Sequence, residues 1–318
     1  MIVFGPVPSR RLGQSLGINN ITPKTCSYSC IYCQIGKTTC MEISRRNFYN
    51  LEEIVSEVEN SLEILKNKNE RIDYITFVPD GEPTLDINLG REICELKKFG
   101  IKIAVITNSS LIWDEDVRKD LSFADLVSLK IDCLNEGIWK RINRPHKKLD
   151  LEKILKGIEI FSHIFKGTLF TETMVISGVN DDEEEMEKIA EFLEGIKPDI
   201  SYLSIPTRPP AERWVKPPDE EKLNNLYQIF KNHSINIQLL TTHGGTSFGF
   251  KGDIERDFLD IVSVHPMRRD QVDEFLKKSG GRWEDIDKLI KEEKVVEVVY
   301  QGEKYYLKRL KNGKGRSN

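Results

Sequence analysis

Short apolar runs alternate with longer amphipathic stretches over most of this chain. Six of the short runs, at 74–78, 102–107, 126–131, 169–175, 202–205 and 235–239, are mostly β-branched and nearly continuous in apolar character. Strands covered on both faces read this way. Between them apolar residues recur at helical spacing, as at Leu51, Ile54, Val55, Val58, Leu62 and Leu65, and again at Met186, Ile189, Ala190 and Leu193. Asp182 and a run of glutamates open the second pattern, where the positive end of a helix dipole favours acid. Repeated strand–helix units predict an α/β fold with a parallel sheet and right-handed crossovers. Six or seven such units suit a partial (β/α) TIM-like barrel better than a short doubly wound sheet. In either architecture the reactive end is the carboxyl end of the strands.

The pattern changes after a glycine-rich stretch, HGGTSFGFKG at 243–252. Three short helical patterns follow, then VVEVVYQGEKYYLKRL, two alternating runs joined at Gln301-Gly302. Three helices and a two-stranded hairpin predict a small C-terminal winged-helix-like domain. The expected organisation is a barrel domain at 1–252, the winged-helix-like domain at 253–310 and a disordered tail at 311–318.

Composition narrows the class of protein. The 318 residues carry a formal charge of −4 and are 39% hydrophobic, enough for one large core and a smaller one. That balance singles out neither nucleic acid, membrane nor an acidic ligand as partner. No apolar run approaches membrane-spanning length, and the N-terminal residues show no secretory signal. A cytoplasmic location is expected, where thiols stay reduced and clustered cysteines point to metal or chemistry rather than to disulfides.

Three of the six cysteines crowd into KTCSYSCIYCQIG at 24–36. Cys26, Cys30 and Cys33 can converge on one centre from a single loop. Structural zinc normally takes four ligands, and a cubane cluster also has four irons to ligate. Three thiolates at C-x3-C-x2-C leave one metal position for a substrate or cofactor. Cys40, seven residues on, could instead complete a closed four-cysteine site, structural or electron-carrying. Cys94 and Cys133 are expected to be buried structural thiols.

The cysteine spacing and its surroundings resemble the radical S-adenosylmethionine (SAM) superfamily over roughly residues 5 to 250. The resemblance implies a [4Fe–4S] cluster on Cys26, Cys30 and Cys33, with the amino and carboxylate groups of SAM on the free iron. It implies that Tyr32 lies against the adenine. YITFVPDGEPTL ends in Asp80-Gly81-Glu82-Pro83, similar to the GGEP element whose backbone binds the SAM ammonium, with aspartate replacing the first glycine. AVITNSS places Asn108 at a strand end, where the family contacts the SAM carboxylate or ribose. In LVSLKID, Ser128, Lys130 and Asp132 share one face. Lysine and aspartate there are costly unless paired or ligand-bound, and the resemblance implies contact with the methionine part or the ribose. The segment GPVPSRRLGQSLGINNITPKTCSYSCIYCQIG is similar to the N-terminal signature of iron–sulfur proteins related to 4-demethylwyosine synthase, a tRNA-modifying enzyme. That synthase uses pyruvate and a second cluster on additional cysteines. No cysteine precedes Cys26 here, so the same reaction is not expected.

Candidate substrate residues are Arg10 and Arg11, whose guanidinium groups suit phosphates or carboxylates, and Arg208, Arg213 and Trp214 in IPTRPPAERWVKPP, a segment with five prolines. His243 is a candidate proton donor or acceptor. An electron donor for the cluster and an RNA or protein substrate docking on the C-terminal domain are the expected partners. The alternative is an iron–sulfur or zinc regulator that binds nucleic acid through the winged helix. Against it, residues 253–293 hold twelve Asp/Glu against eight Lys/Arg, and only 294–318 run basic, with seven Lys/Arg against two Glu.

Overall fold

A computed structural model of the chain describes residues 2–241 and 248–309. The chain opens on an antiparallel hairpin of β1 (Val3–Ser9) and β2 (Gly13–Ile18). A long loop follows, bearing the two-residue strands β3 (Thr25–Cys26) and β4 (Cys40–Met41). Strand–helix units then succeed one another. They are α1 (Leu51–Asn67), β5 (Tyr74–Phe77), α2 (Leu89–Leu96), β6 (Lys102–Thr107), α3 (Glu115–Leu121) and β7 (Leu126–Lys130). Next come α4 (Glu136–Ile142), α5 (Leu151–Ile164), β8 (Thr168–Met174), α6 (Glu183–Ile196), β9 (Ile200–Ser204), α7 (Glu220–Asn232) and β10 (Ile237–Leu240). The sheet runs β1-β2-β5-β6-β7-β8-β9-β10, and each neighbouring pair from β2 to β10 is parallel. The α/β architecture and parallel sheet expected from the sequence are therefore present. β1 and β2 were not among the expected strands, and the strand expected at 235–239 lies at Ile237–Leu240.

Side-chain alternation divides the sheet into two faces. Ile75, Phe77, Ile103, Val105, Val127 and Leu129 point to the helices and share one core with Ile54 and Val58 of α1 and Met186, Ile189 and Leu193 of α6. Asp182 caps α6 by accepting from the N–H groups of Glu184 (3.0 Å) and Glu185 (3.2 Å), which fixes where that helix starts. The opposite face carries a smaller cluster of Ala104, Leu126, Phe170 and Tyr202, closed by Leu12 and Leu240. Lys130 and Glu172 are register partners beyond that cluster, towards the carboxyl ends.

The C-terminal region holds α8 (Ile254–Val264), β11 (Met267–Arg268), α9 (Arg269–Ser279), α10 (Trp283–Lys291), β12 (Val295–Tyr300) and β13 (Glu303–Lys308). Its three strands form an antiparallel sheet in the order β11-β13-β12. Gln301 and Gly302 both take positive φ, 51° and 79°, as the tight turn between β12 and β13 requires. Phe258, Phe275 and Tyr306 share a core with Phe4 and Val7 of β1. Burial of each such side chain is worth roughly 1.5–3 kcal/mol, so this region is packed onto the barrel edge rather than tethered beside it. Among the described residues no helix is long and apolar enough to cross a membrane.

Candidate active site

The cysteine loop leaves the carboxyl end of β2 and is stitched to α4. The N–H of Ser29 bonds the Asn143 carbonyl and that of Ile31 the Ile142 carbonyl, both at 2.9 Å. Backbone bonds from the Cys33 N–H to the Cys30 carbonyl (3.1 Å) and from the Gly36 N–H to the Cys33 carbonyl (3.0 Å) wind this part of the loop into tight turns. Burial pushes all three thiols up, and Cys26 and Cys30 also feel neighbouring thiols. Cys30 reaches about 12, driven by burial and then by Asp132. Cys26 is raised by burial, by Glu82 and by the other two thiols. Cys33 is raised by burial and drawn partly back by Lys24. Three thiols raised in this way do not ionise together without a cation among them. Yet among the described residues no three His, Cys, Asp or Glu side chains converge closely enough to hold a single metal ion. Three thiols from one loop match three corners of a [4Fe–4S] cluster, whereas a structural zinc takes four ligands. Cys40 is exposed on β4, and Cys133 is buried. Cys94 corrects an expectation. It is exposed, because α2 turns Leu89, Ile93 and Leu96 inward and leaves position 94 on the solvent side.

The GEP turn is docked on this loop. Gly81 has a φ of 157°, and a Cβ there would lie 1.9 Å from the Thr25 carbonyl oxygen, so only glycine permits the approach. The N–H of Glu82 bonds the same carbonyl at 3.2 Å. The Glu82 carboxylate faces into the protein. It accepts from Thr84 N–H (3.1 Å) and Oγ1 (2.6 Å), Thr107 Oγ1 (2.6 Å) and Asn108 N–H (2.7 Å), tying the ends of β5 and β6 together. Pro83 opens a short 3-10 turn, and its carbonyl accepts from Asn20 Nδ2 at 3.2 Å. Asn108 points back to the loop, donating to Ser27 Oγ (3.0 Å) and Cys26 Sγ (3.4 Å).

Tyr32 donates to Asp132 Oδ2 at 2.5 Å. Asp132 also accepts from Asn143 Nδ2 (2.8 Å) and the Met174 N–H (2.9 Å), so its buried carboxylate is held by three donors. The Lys130 ammonium lies 5.1 Å from the Tyr32 ring centroid, 3.7 Å from Asp132 and 2.8 Å from Glu172. Glu172 was missed in the sequence. Burial pushes its carboxylate up, but Lys130 and Arg11 outweigh that and hold it below the usual carboxylate range. The signal that could have found it is an acid at an inward position of a buried parallel strand.

Arg11 ion-pairs with Glu172 and donates to Ser128 Oγ at 3.3 Å, while Arg10 donates to the Leu240 carbonyl at 3.0 Å. Both lie in the turn between β1 and β2. Arg208 reaches the same region from the proline-rich loop. Its guanidinium bonds Gln34 Oε1 (2.8 Å) and His265 Nε2 (2.6 Å). Tyr300 and Tyr305 of the C-terminal hairpin hold the loop by donating to the carbonyls of Pro206 (3.1 Å) and Thr207 (2.8 Å). The three arginines line one cavity of about 160 Å³ together with Gln34 and His265. Arg213 is exposed and outside this cavity, as is Trp214, 47% exposed. His243 lies outside the described residues.

Comparison with known proteins bears on this arrangement. A family model described as the radical SAM superfamily matches residues 20–193. The chain is 50% identical to UPF0026 protein MJ1312 of Methanocaldococcus jannaschii, across 98% of this chain and 97% of that protein. It is 25% identical to a probable dual-specificity RNA methyltransferase RlmN of Endomicrobium trichonymphae, across 69% of this chain and 63% of the relative. Among solved structures, TYW1 with a lysine-pyruvate adduct bound has the same fold at TM-score 0.54 and 18% identity, covering 69% of this chain and 73% of that one. A radical SAM methyltransferase from Sphaerobacter thermophilus matches at TM-score 0.54 and 16% identity, over 72% and 67%.

Proposed function

This chain belongs to the radical SAM superfamily, and from that premise we propose how its residues divide the work and what they act on. It is an enzyme that uses a [4Fe–4S] cluster and SAM. In our reading Cys26, Cys30 and Cys33 hold the cluster, and the remaining iron is left for SAM. When bound, the pair would supply reductive SAM cleavage and with it the capacity to abstract a hydrogen atom from the substrate. The polypeptide contributes placement. Gly81 and Pro83 present bare backbone to the SAM ammonium, with Glu82 bracing the turn from behind. Asn108 orients the cofactor from the end of β6. The ring of Tyr32, fixed by Asp132, offers an apolar face to adenine, and Lys130 with Glu172 forms the polar wall beside it.

The observation that carries this reading is the loop that holds Cys26, Cys30 and Cys33 against the GEP turn at the carboxyl ends of the strands. A tRNA or other RNA nucleoside is the first candidate substrate, supported by the likeness to proteins named as RNA methyltransferases. The C-terminal region, read as a winged-helix-like module, docks the substrate, an electron donor reaches the cluster, and the setting is the cytoplasm. A nucleic-acid-binding regulator is not favoured, since α10 opens on Glu284 and Asp285 and the hairpin tyrosines are turned to the barrel.

Anaerobic reconstitution tests the proposal. The expected result is a reducible cluster that converts SAM to 5′-deoxyadenosine. Alanine at Cys26, Cys30 or Cys33 should abolish iron loading, whereas Cys40→Ala should leave the iron content unchanged. Loss of iron in Cys40→Ala would mean a closed site and would overturn the assignment.

A further inference from the structure

We propose that the cavity lined by Arg10, Arg11 and Arg208 receives a terminal phosphate or carboxylate group of the substrate. The inference rests on the reading above, in that the group is seated where the reaction takes place. It also goes beyond that reading, because nothing about cluster or SAM binding requires such a site.

Charge is the first argument. Three guanidinium groups line the cavity, and no Asp or Glu does so among the described residues. Glu172 compensates Arg11 from outside, but it is shared with Lys130. Arg208 is met by an amide oxygen and an imidazole nitrogen, which aim the guanidinium without bringing a carboxylate. Burial, then repulsion from Arg10 and Arg11, lowers Arg208 to about 9, so it is still cationic at neutral pH. Gathering like charges in a partly buried space is costly unless an anion enters, and guanidinium groups match the planar or tetrahedral oxygens of carboxylate and phosphate with paired N–H donors.

Position is the second argument. None of Tyr32, Gly81, Glu82, Asn108, Lys130 and Asp132 lines this cavity, so it is distinct from the space assigned to SAM. It adjoins that space at Gln34 and Ile35, directly after Cys33, and through the chain of contacts Arg11–Glu172–Lys130. A substrate anchored there would have its next atoms beside the cofactor.

Size decides what kind of anion enters. A volume of about 160 Å³ is close to that of a cavity which accepts benzene, about 150 Å³. Phe4, Val7 and Leu12 wall its apolar side. That space suits a compact terminal group.

The full-length protein, before and after cluster loading, should be titrated calorimetrically with inorganic phosphate, with acetate and with a single-stranded oligoribonucleotide. Saturable binding of phosphate or acetate is expected, weakened about tenfold in Arg208→Gln and unchanged in Arg91→Gln, an exposed residue of α2. Preference for one anion identifies the substrate group as a phosphate ester or a carboxylic acid. Should Arg208→Gln fail to fold, Arg10→Gln and the wild-type protein carry the test. The bound anion should protect Arg10, Arg11 and Arg208 from phenylglyoxal, mapped by mass spectrometry. The proposal is overturned if neither anion saturates, if Arg208→Gln and Arg10→Gln bind as wild type, or if oligoribonucleotide binds and neither anion competes. Anion binding without SAM cleavage would instead refute the enzyme assignment and leave the cavity standing.

Discussion

Lys24 is the residue on which the cysteine loop hangs. It is buried, takes a φ of 63°, donates its N–H to the Asp80 carbonyl at 2.7 Å and accepts from the N–H groups of Thr39 and Cys40. Its ammonium makes no hydrogen bond and lies 3.4 Å from Asp80 Oδ1. This explains the aspartate that stands where the related motif has glycine. Asp80 is the counter-charge to a lysine whose field lowers Cys33. Burial still raises the Asp80 carboxyl against that attraction, so the pair is held by the fold more than it holds the fold. Removing one partner strands the other. Asp80→Asn is expected to cost about 3 kcal/mol in denaturant unfolding of the cluster-free protein. Lys24→Met should cost a similar amount, and the double variant should cost less than the sum by about 1–2 kcal/mol. Additive losses would show that the two charges do not interact.

At the scale of elements, the hairpin of β12 and β13 positions Arg208 without touching substrate space itself. Tyr305 is 1% exposed, so Tyr305→Phe deletes a buried hydrogen bond to Thr207 and leaves the ring packing intact. We expect a loss of about 1 kcal/mol in stability, faster amide exchange in residues around 206–211 and weaker anion binding, with SAM cleavage unaffected. Unchanged exchange and anion affinity would mean that the loop sets its own shape. This coupling was not legible in the sequence, because it joins residues 98 apart. Lys102–Thr107 was legible because a continuous apolar run has no other use than a doubly covered strand. β1 was not, since Gly5, Pro6 and Pro8 interrupt it. An edge strand tolerates them, having β2 on one side only, and the C-terminal region covers what is left. The cysteine trio and GEP turn were readable because their chemistry is local. Glu172 was not, because an isolated acid in TLFTETM gains its meaning from Lys130 and Arg11 on neighbouring elements.

For the molecule as a whole, the most consequential titration lies beneath the GEP turn rather than at the site. Asn20, Asp86 and Glu92 are all 0% exposed, and Asn20 Nδ2 donates both to the Pro83 carbonyl and to Glu92 Oε2, each at 3.2 Å. Burial, then the nearby Asp86, pushes Glu92 up to about 9, and burial pushes Asp86 up to about 6. The folded protein therefore keeps a proton on this pair where the unfolded chain has released it. A folded value above the unfolded one gives stability that is complete below the unfolded carboxylate range and is lost as pH rises through the folded value. The window runs from about pH 4.5 to about 9, with a slope approaching 1.4 kcal/mol per pH unit for each proton held. Glu172 acts in the opposite sense. Its lowered value gives stability present above the unfolded carboxylate range and lost only on strong acidification. Denaturant midpoints should thus peak at mildly acidic pH and fall towards alkali. Glu92→Gln removes the alkaline loss, because a neutral amide can donate to Asp86 and accept from Asn20 at any pH. Its midpoint should match or fall below wild type near pH 5 and exceed it near pH 9. Parallel pH curves for the two proteins would show that the proton resides elsewhere.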